Sequence, residues 1–198
     1  DICSDDFVVF KNMLTVMNVP FYTAPSEAEK MCSKLCIDGI VSAVLSDDSD
    51  VIAYSTPLSL SKLNTSTGEC ILVRNKNLLN ELQINNSQFL DFCIMCGTDY
   101  NKNIKGIGSM TAFKHILKHK NIEVFSEKEN IDITGLNHNV VRSLFTDFEN
   151  YDITNVPFCG QIEYNAFLLF VQDNNIDINP YYYFSCFKNK NLKFHTLD

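Results

Sequence analysis

Val41-Ser42-Ala43-Val44-Leu45-Ser46-Asp47-Asp48-Ser49-Asp50 is the stretch on which the fold turns. Val41 to Leu45 is a short apolar run, and such a run without alternation predicts a strand buried on both faces. It stops abruptly in a Ser/Asp cluster. In open α/β sheets ligands gather at the carboxyl ends of strands, which is where these aspartates fall.

Upstream, Ser4 is a candidate cap for a helix in which Phe7, Phe10, Leu14 and Met17 recur at helical spacing. Phe21-Tyr22-Thr23 reads as a short strand. Pro25-Ser26 opens a second helix running to about Asp38-Gly39, with Ser26 as cap and Glu27 and Glu29 in its first turn. Downstream, Leu58 to Leu63 and Glu69 to Val73 flank Asn64-Thr65-Ser66-Thr67-Gly68, a hairpin pattern. Helical patterns follow near 77–82, 87–96, 109–119, 139–148 and 161–171, with a glycine-punctuated turn over 97–108. The aromatic run Tyr181-Tyr182-Tyr183-Phe184 reads as a strand packed on the core. Strands separated by helices predict an α/β fold, with a partly parallel central sheet flanked by helices.

The 198 residues are 45% hydrophobic and 20% charged, enough to build a core and too apolar for a disordered chain. No apolar run approaches the ~20 residues that span a bilayer, so no membrane partner is expected. Asp1 to Asp6 has neither the basic nor the apolar region of a signal peptide, and reads as the start of a piece cut from a longer chain. The eight cysteines include Cys32 with Cys36 and Cys93 with Cys96, each pair on one helix face, where Cys serves as a small buried hydrophobe. A four-cysteine zinc site is disfavoured, because neither pair lies on a knuckle-like turn. The natural setting is a reducing compartment, the nucleus or, for a viral protein, the cytoplasm. A net charge of −8 disfavours a simple electrostatic nucleic-acid binder, which would be basic overall.

Acids recur in three short segments: Ala24-Pro25-Ser26-Glu27-Ala28-Glu29, Leu45-Ser46-Asp47-Asp48-Ser49-Asp50 and Gly97-Thr98-Asp99-Tyr100. Taken singly, each is readable as a helix cap or a solvated loop. Carboxylates gathered in one place make sense around hard divalent cations. Mg²⁺ uses one or two carboxylates with waters and phosphate oxygens, and two such ions about 4 Å apart clamp the attacking and leaving oxygens of a phosphodiester.

Val19-Pro20-Phe21-Tyr22-Thr23-Ala24-Pro25-Ser26-Glu27-Ala28-Glu29, then Asp47-Asp48-Ser49-Asp50, then Leu90-Asp91-Phe92-Cys93-Ile94-Met95-Cys96-Gly97-Thr98-Asp99-Tyr100-Asn101 with Ile104-Lys105-Gly106-Ile107-Gly108, resemble in order and spacing the flap endonuclease/XPG family of structure-specific 5′ nucleases. The resemblance covers about residues 10–120 and leans toward the flap endonucleases over the exonuclease, excision-repair and Holliday-junction branches. It implies an incomplete PIN-like nuclease core over 1–97, and a helix–two-turn–helix DNA-binding region with C-terminal helices over 98–198. The implied activity is Mg²⁺-dependent hydrolysis of phosphodiesters in branched or flapped DNA, during replication or repair. Glu27 and Glu29 would serve one metal, and Asp48, Asp50 and Asp99 a second, two Mg²⁺ per complete site with Mn²⁺ as a substitute. Asp47 would stand outside the ligand shell. The family's preceding region carries further aspartates, so this segment alone is expected to be impaired. The rival is a non-catalytic module that binds DNA junctions.

Gly106-Ile107-Gly108 joins two helices, with Lys102 and Lys105 before it and Lys114, His115, Lys118, His119 and Lys120 after it. Glycines let the backbone approach a phosphate, and a helix N-terminus favours an anion, so Lys102, Lys105, Gly106, Gly108 and Lys114 are candidate DNA contacts. The resemblance adds a K⁺ held by the backbone of Asn103, Ile104 and Ile107. Ser109-Met110-Thr111 stands where the family has Pro and two basic residues, a loss of charge that weakens phosphate binding. Gln161, Tyr164, Phe167 and Leu168 loosely resemble a sliding-clamp peptide and also fit a buried helix stripe. His138 and His195 are isolated and support no nucleophile–base pair.

Overall fold

The computed structural model of the chain describes residues 3–148 and 163–188. In chain order its elements are α1 (Ser4–Val16), α2 (Ala28–Ile37), β1 (Val44–Leu45), α3 (Asp50–Ala53), β2 (Leu58–Ser61), β3 (Ile71–Arg74), α4 (Asn75–Leu82), α5 (Asn86–Cys96), α6 (Ser109–His119), α7 (Ile122–Glu129), α8 (His138–Thr146), α9 (Tyr164–Asp173) and α10 (Pro180–Lys188). The described parts of 24–153 form one compact unit, and those of 1–23 and 154–198 form another.

The larger unit is α/β. Its three-stranded sheet has the order β1-β2-β3, with β1 parallel to β2 and β2 antiparallel to β3. Val44 pairs with Ser59, and Leu58 with Arg74. Residues 62–70 turn the chain between β2 and β3, with Asn64 Oδ1 accepting the amides of Ser66 and Thr67, as expected of a polar hairpin loop. The partly parallel sheet therefore stands, but in reduced form. β1 is two residues long and pairs on one side only, so Leu45 is 55% exposed instead of buried on both faces. Phe21-Tyr22-Thr23 follows Pro20 as irregular chain and does not join the sheet.

Most of the larger unit's core lies among helices. Ile94, Met95, Ala112, Ile116, Ile122 and Phe125 are fully buried, and Val141 and Phe145 nearly so. They stack α5, α6, α7 and α8 into one apolar cluster. α7 is a helix that the sequence periodicity did not suggest; Asn121 caps it by accepting the amide of Val124 at 2.8 Å. One polar network runs through this helical layer. Asp91 on α5 receives Arg142 of α8 through two bonds of 2.7 Å and also accepts the Ile122 amide at 3.2 Å. Arg142 further binds Glu123 of α7. A small second cluster of Cys36, Val44 and Val51, with Val41 beside it, seats β1 against α2 and α3.

In the other unit α1, α9 and α10 are helical. The aromatic run 181–184 belongs to α10 and is not a strand. Pro180 supplies a helical φ at the first position, and Asn179 Oδ1 accepts the Tyr182 amide at 3.2 Å. Tyr181, Tyr182 and Tyr183 are exposed. Phe167 is buried on α9, which favours the packing stripe over a free clamp-binding peptide; Gln161 and His195 lie outside the described residues. No described helix is long and apolar enough to cross a membrane.

Candidate metal centre and nucleic-acid interface

The site starts where β1 ends. Ser46 Oγ accepts the Asp48 amide at 3.1 Å, and Asp48 Oδ1 accepts the Asp50 amide at 2.8 Å. These two local bonds turn the chain from strand into α3 and place Asp50 at that helix's first residue. Asp47 faces elsewhere: it accepts the Lys62 amide at 2.6 Å and lies 3.8 Å from the Lys62 ammonium, which ties it to the hairpin.

The second group of acids comes from the start of α2. Glu27, not Ser26, is the N-cap, with extended backbone angles, and Glu29 lies in the first turn. The third comes from the turn after α5. Gly97 ends that helix at φ 95°, and a Cβ there would meet the Asn103 backbone nitrogen at 3.0 Å, so only glycine fits. Asn101 Nδ2 donates to the Ile94 carbonyl at 2.8 Å, and Asn101 Oδ1 accepts from Thr98 Oγ1 at 2.8 Å. The turn presenting Asp99 is thereby pinned to the helix it leaves.

All three segments act on the charge of Asp50. Burial, followed by the charges of Asp48, Asp99, Glu29 and Glu27, pushes its carboxyl up to about 6. Residues from three segments thus repel one proton-binding group, as expected of neighbouring carboxylates. They share a field, not a tight cage. Among the described residues the group of three His, Cys, Asp or Glu side chains with ligand atoms within 4.8 Å of one another lies elsewhere, at His115, His119 and Glu129. Mutual repulsion keeps like charges apart. An all-oxygen donor set of this charge suits Mg²⁺ or Mn²⁺ and not a soft metal.

Three neighbours of the acids were not given a part in the site by sequence reasoning. Tyr54 is raised first by burial and then by its hydrogen bond to Tyr100, with Asp50 and Glu27 adding to the effect. Burial raises Tyr100 as well, and Glu27, Asp50 and Asp99 add to it. Both rings pack on Phe145, at centroid distances of 4.8 and 5.6 Å. Cys93 is pushed up to about 12 by burial, then by Cys96 and Asp50, so it is an inert thiol beside the acids. The helical spacing of Asp50 to Tyr54 was the available signal for the first of these.

Lys102, Lys105, Gly106, Gly108 and Lys114 are all exposed. Gly106 has φ 82°, and Gly108 caps α6 without a side chain. The α6 N-terminus is therefore open to an approaching backbone, flanked by lysines. Asn103 is exposed, Ile104 half-buried and Ile107 buried; the Ile104 carbonyl accepts the Ile107 amide at 3.0 Å, which closes the turn. Met110 is 71% exposed on the first turn of α6.

Residues 18–99 match the family model described as the XPG I-region. The flap endonuclease 1 of Zea mays is 42% identical over 125 residues, covering 62% of this chain and 33% of the maize protein. The catalytic core of Rad2 in complex with DNA substrate superposes with a TM-score of 0.82 at 18% identity, over 92% of this chain and 68% of that one. The Holliday junction-resolving enzyme GEN1, solved with product DNA, Mg²⁺ and Mn²⁺, gives a TM-score of 0.52 at 21% identity, over 79% of this chain and 39% of that one. The chain spans between 22% and 41% of the length of the curated relatives it matches.

Proposed function

On the premise that this chain belongs to the flap endonuclease/XPG family, whose I-region it carries, we propose that it is part of a divalent-metal-dependent, structure-specific 5′ nuclease acting on branched or flapped DNA in replication or repair. The observation that supports this reading is the half-buried Asp50 carboxyl, raised by burial and by the charges of Asp48, Asp99, Glu29 and Glu27 from three chain segments. A module that only bound DNA junctions would gain nothing from concentrating negative charge where phosphates must approach.

Glu27 and Glu29 would hold one divalent ion, and Asp48, Asp50 and Asp99 another, Mg²⁺ or Mn²⁺ by the chemistry of the oxygens. Bound there, such ions would supply charge stabilisation for the attacking and leaving oxygens of a phosphodiester. The chain's own residues do the positioning. The Asp48–Asp50 bond fixes the two acids relative to each other, and the Asn101 brace fixes Asp99. The Tyr54–Tyr100 pair, seated on Phe145, forms a wall beside the acids. Lys102, Lys105 and Lys114, with Gly106 and Gly108, would hold duplex backbone without reading bases. The Asn103, Ile104 and Ile107 carbonyls would hold K⁺; Ile104 retains one lone pair beyond its bond to Ile107. A nuclear, reducing setting accords with the free thiols of Cys3, Cys32, Cys36, Cys70, Cys93 and Cys96.

The test is calorimetric titration with Mg²⁺ of the chain and of its Asp50→Asn and Asp99→Asn variants, followed by flap cleavage with the remaining part of the enzyme supplied in trans. Saturable binding that both variants abolish, with cleavage only on complementation, is the expected result. Unchanged Mg²⁺ binding in both variants refutes the assignment.

A further inference from the structure

A second cluster of ligand-type side chains lies on the helical layer, built from residues that the nuclease reading does not use. His115 and His119 are one helical turn apart on α6, with ring centroids 5.8 Å apart and planes 24° from parallel. Glu129 enters from the end of α7, and its Oε1 is 2.8 Å from His119 Nε2. One ligand atom from each of the three lies within 4.8 Å of the others. The His119 side chain is only 5% exposed, while Glu129 stands at the rim at 31%. His115 is braced by Phe125, centroid to centroid 4.5 Å.

We propose that His115, His119 and Glu129 form a site for a borderline transition-metal dication, with Zn²⁺ as the type ion, separate from the carboxylate centre and linking the end of α6 to the end of α7. Two imidazoles and one carboxylate with an open fourth position are a zinc donor set, and imidazole does not suit Mg²⁺. Tetrahedral ligands at zinc bond lengths stand about 3.4 Å apart. The His119–Glu129 pair, at 2.8 Å, would open slightly, and the wider separations, all within 4.8 Å, would close by little more than 1 Å at most. The half-buried His115 can supply that through a change of rotamer. A buried histidine satisfied by one acid would account for His119 and Glu129. It does not account for a second imidazole stacked beside them with a nitrogen in reach of the same point.

Lys118 is the competing cation, because its Nζ lies 2.7 Å from the same Glu129 Oε1. Its side chain is 67% exposed, so it can leave for solvent when a metal arrives. Metal binding here would add a bridge between two helices already packed through Ile116, Ile122 and Phe125, and would stiffen the helix whose first turn follows Gly108. Metal binding at these three residues does not depend on nuclease activity.

The experiment uses the full chain in saturating Mg²⁺, which fills hard oxygen sites, with Co²⁺ as spectroscopic probe, Zn²⁺ as competitor and thermal melting as a second readout. The variants are His115→Ala and Glu129→Gln, both at positions reached by solvent. Expected are one Co²⁺ per chain with tetrahedral d–d bands and no thiolate charge-transfer band, displacement by Zn²⁺, and a Zn²⁺-dependent rise in melting temperature. Each variant should weaken binding by at least about tenfold, since even the loss of a partner behind a ligand costs that much. If one variant fails to fold without metal, the other decides. A wild-type chain that binds no Co²⁺, a thiolate band, or affinity retained in a folded variant overturns the proposal.

Discussion

Asp48 holds Asp50 by its backbone, Oδ1 to amide at 2.8 Å, while its charge raises the Asp50 carboxyl. The contact that builds the turn also loads it electrostatically. Such loading is stable only at a cost, which falls on the folded chain unless a cation offsets it.

That cost has a sign. Asp50 is raised to about 6 in the folded chain from 3.8, so its contribution favours folding below pH 4 and is lost as pH rises through 6. Without divalent ions, the Asp50→Asn variant should therefore be more stable than wild type at pH 7.5, by about 1 kcal/mol after allowance for solvent screening, and equal to it near pH 4. Thermal melts at the two pH values check this; equal stability at pH 7.5 contradicts it. Mg²⁺ affinity of the wild type should also fall below pH 6, where protons compete for Asp50.

The Asp91–Arg142 pair should be the most sensitive polar contact in the helical layer. The Asp91 side chain is 4% exposed and receives two bonds from the guanidinium. Arg142→Ala leaves that charge buried and unpaired, a loss of about 3–5 kcal/mol in urea unfolding. Arg142→Lys should recover only part, having no fork. Arg142 also holds Glu123 down to about 2. That contribution is present above pH 4.5 and lost as pH falls toward 2, so the variant's stability should depend less on pH in that window.

Gly97→Ala tests the turn that carries Asp99. The substitution meets both a positive φ and the Asn103 backbone nitrogen at 3.0 Å. A loss of about 1–3 kcal/mol is expected, together with weaker Mg²⁺ binding as the turn shifts. Unfolding and calorimetry on the same variant measure the two; full Mg²⁺ affinity would show that Asp99 does not depend on this turn.

The lysines flanking the Gly106–Gly108 turn make a prediction about salt. If Lys102, Lys105 and Lys114 each neutralise a phosphate, replacing each by Ala should lower the slope of log K against log salt by roughly 0.9. Met110→Arg, at a position that is 71% exposed, should raise duplex affinity. Fluorescence anisotropy at several salt concentrations reads both. A slope unchanged in the triple variant would remove these lysines from the interface.

The acids Asp48, Asp50 and Asp99 stand out in the sequence through the motifs that resemble a nuclease family, and the turns that carry them are local, held by bonds such as Ser46 to Asp48 and Thr98 to Asn101. Helix α6 matched its expected span because Gly108 and the apolar spacing of Ala112 and Ile116 mark it locally. β1 was overextended, since how far an apolar run pairs depends on the neighbour it finds, not on its own residues. The run at 181–184 was misread for the opposite reason: its aromatic content suggests a strand, but Pro180 and Asn179 at its start set a helix. Arg142 with Asp91, and His119 with Glu129, join residues far apart in sequence or on different helices, and no spacing rule reveals them.

The most direct test of the carboxylate centre is anomalous diffraction from crystals of the chain soaked in Mn²⁺. A peak bounded by the carboxylates of Asp48, Asp50 and Asp99, with Glu27 and Glu29 on its other side, is the predicted result. Those side chains turned to different faces of the molecule, with Mn²⁺ bound elsewhere or nowhere, would contradict it.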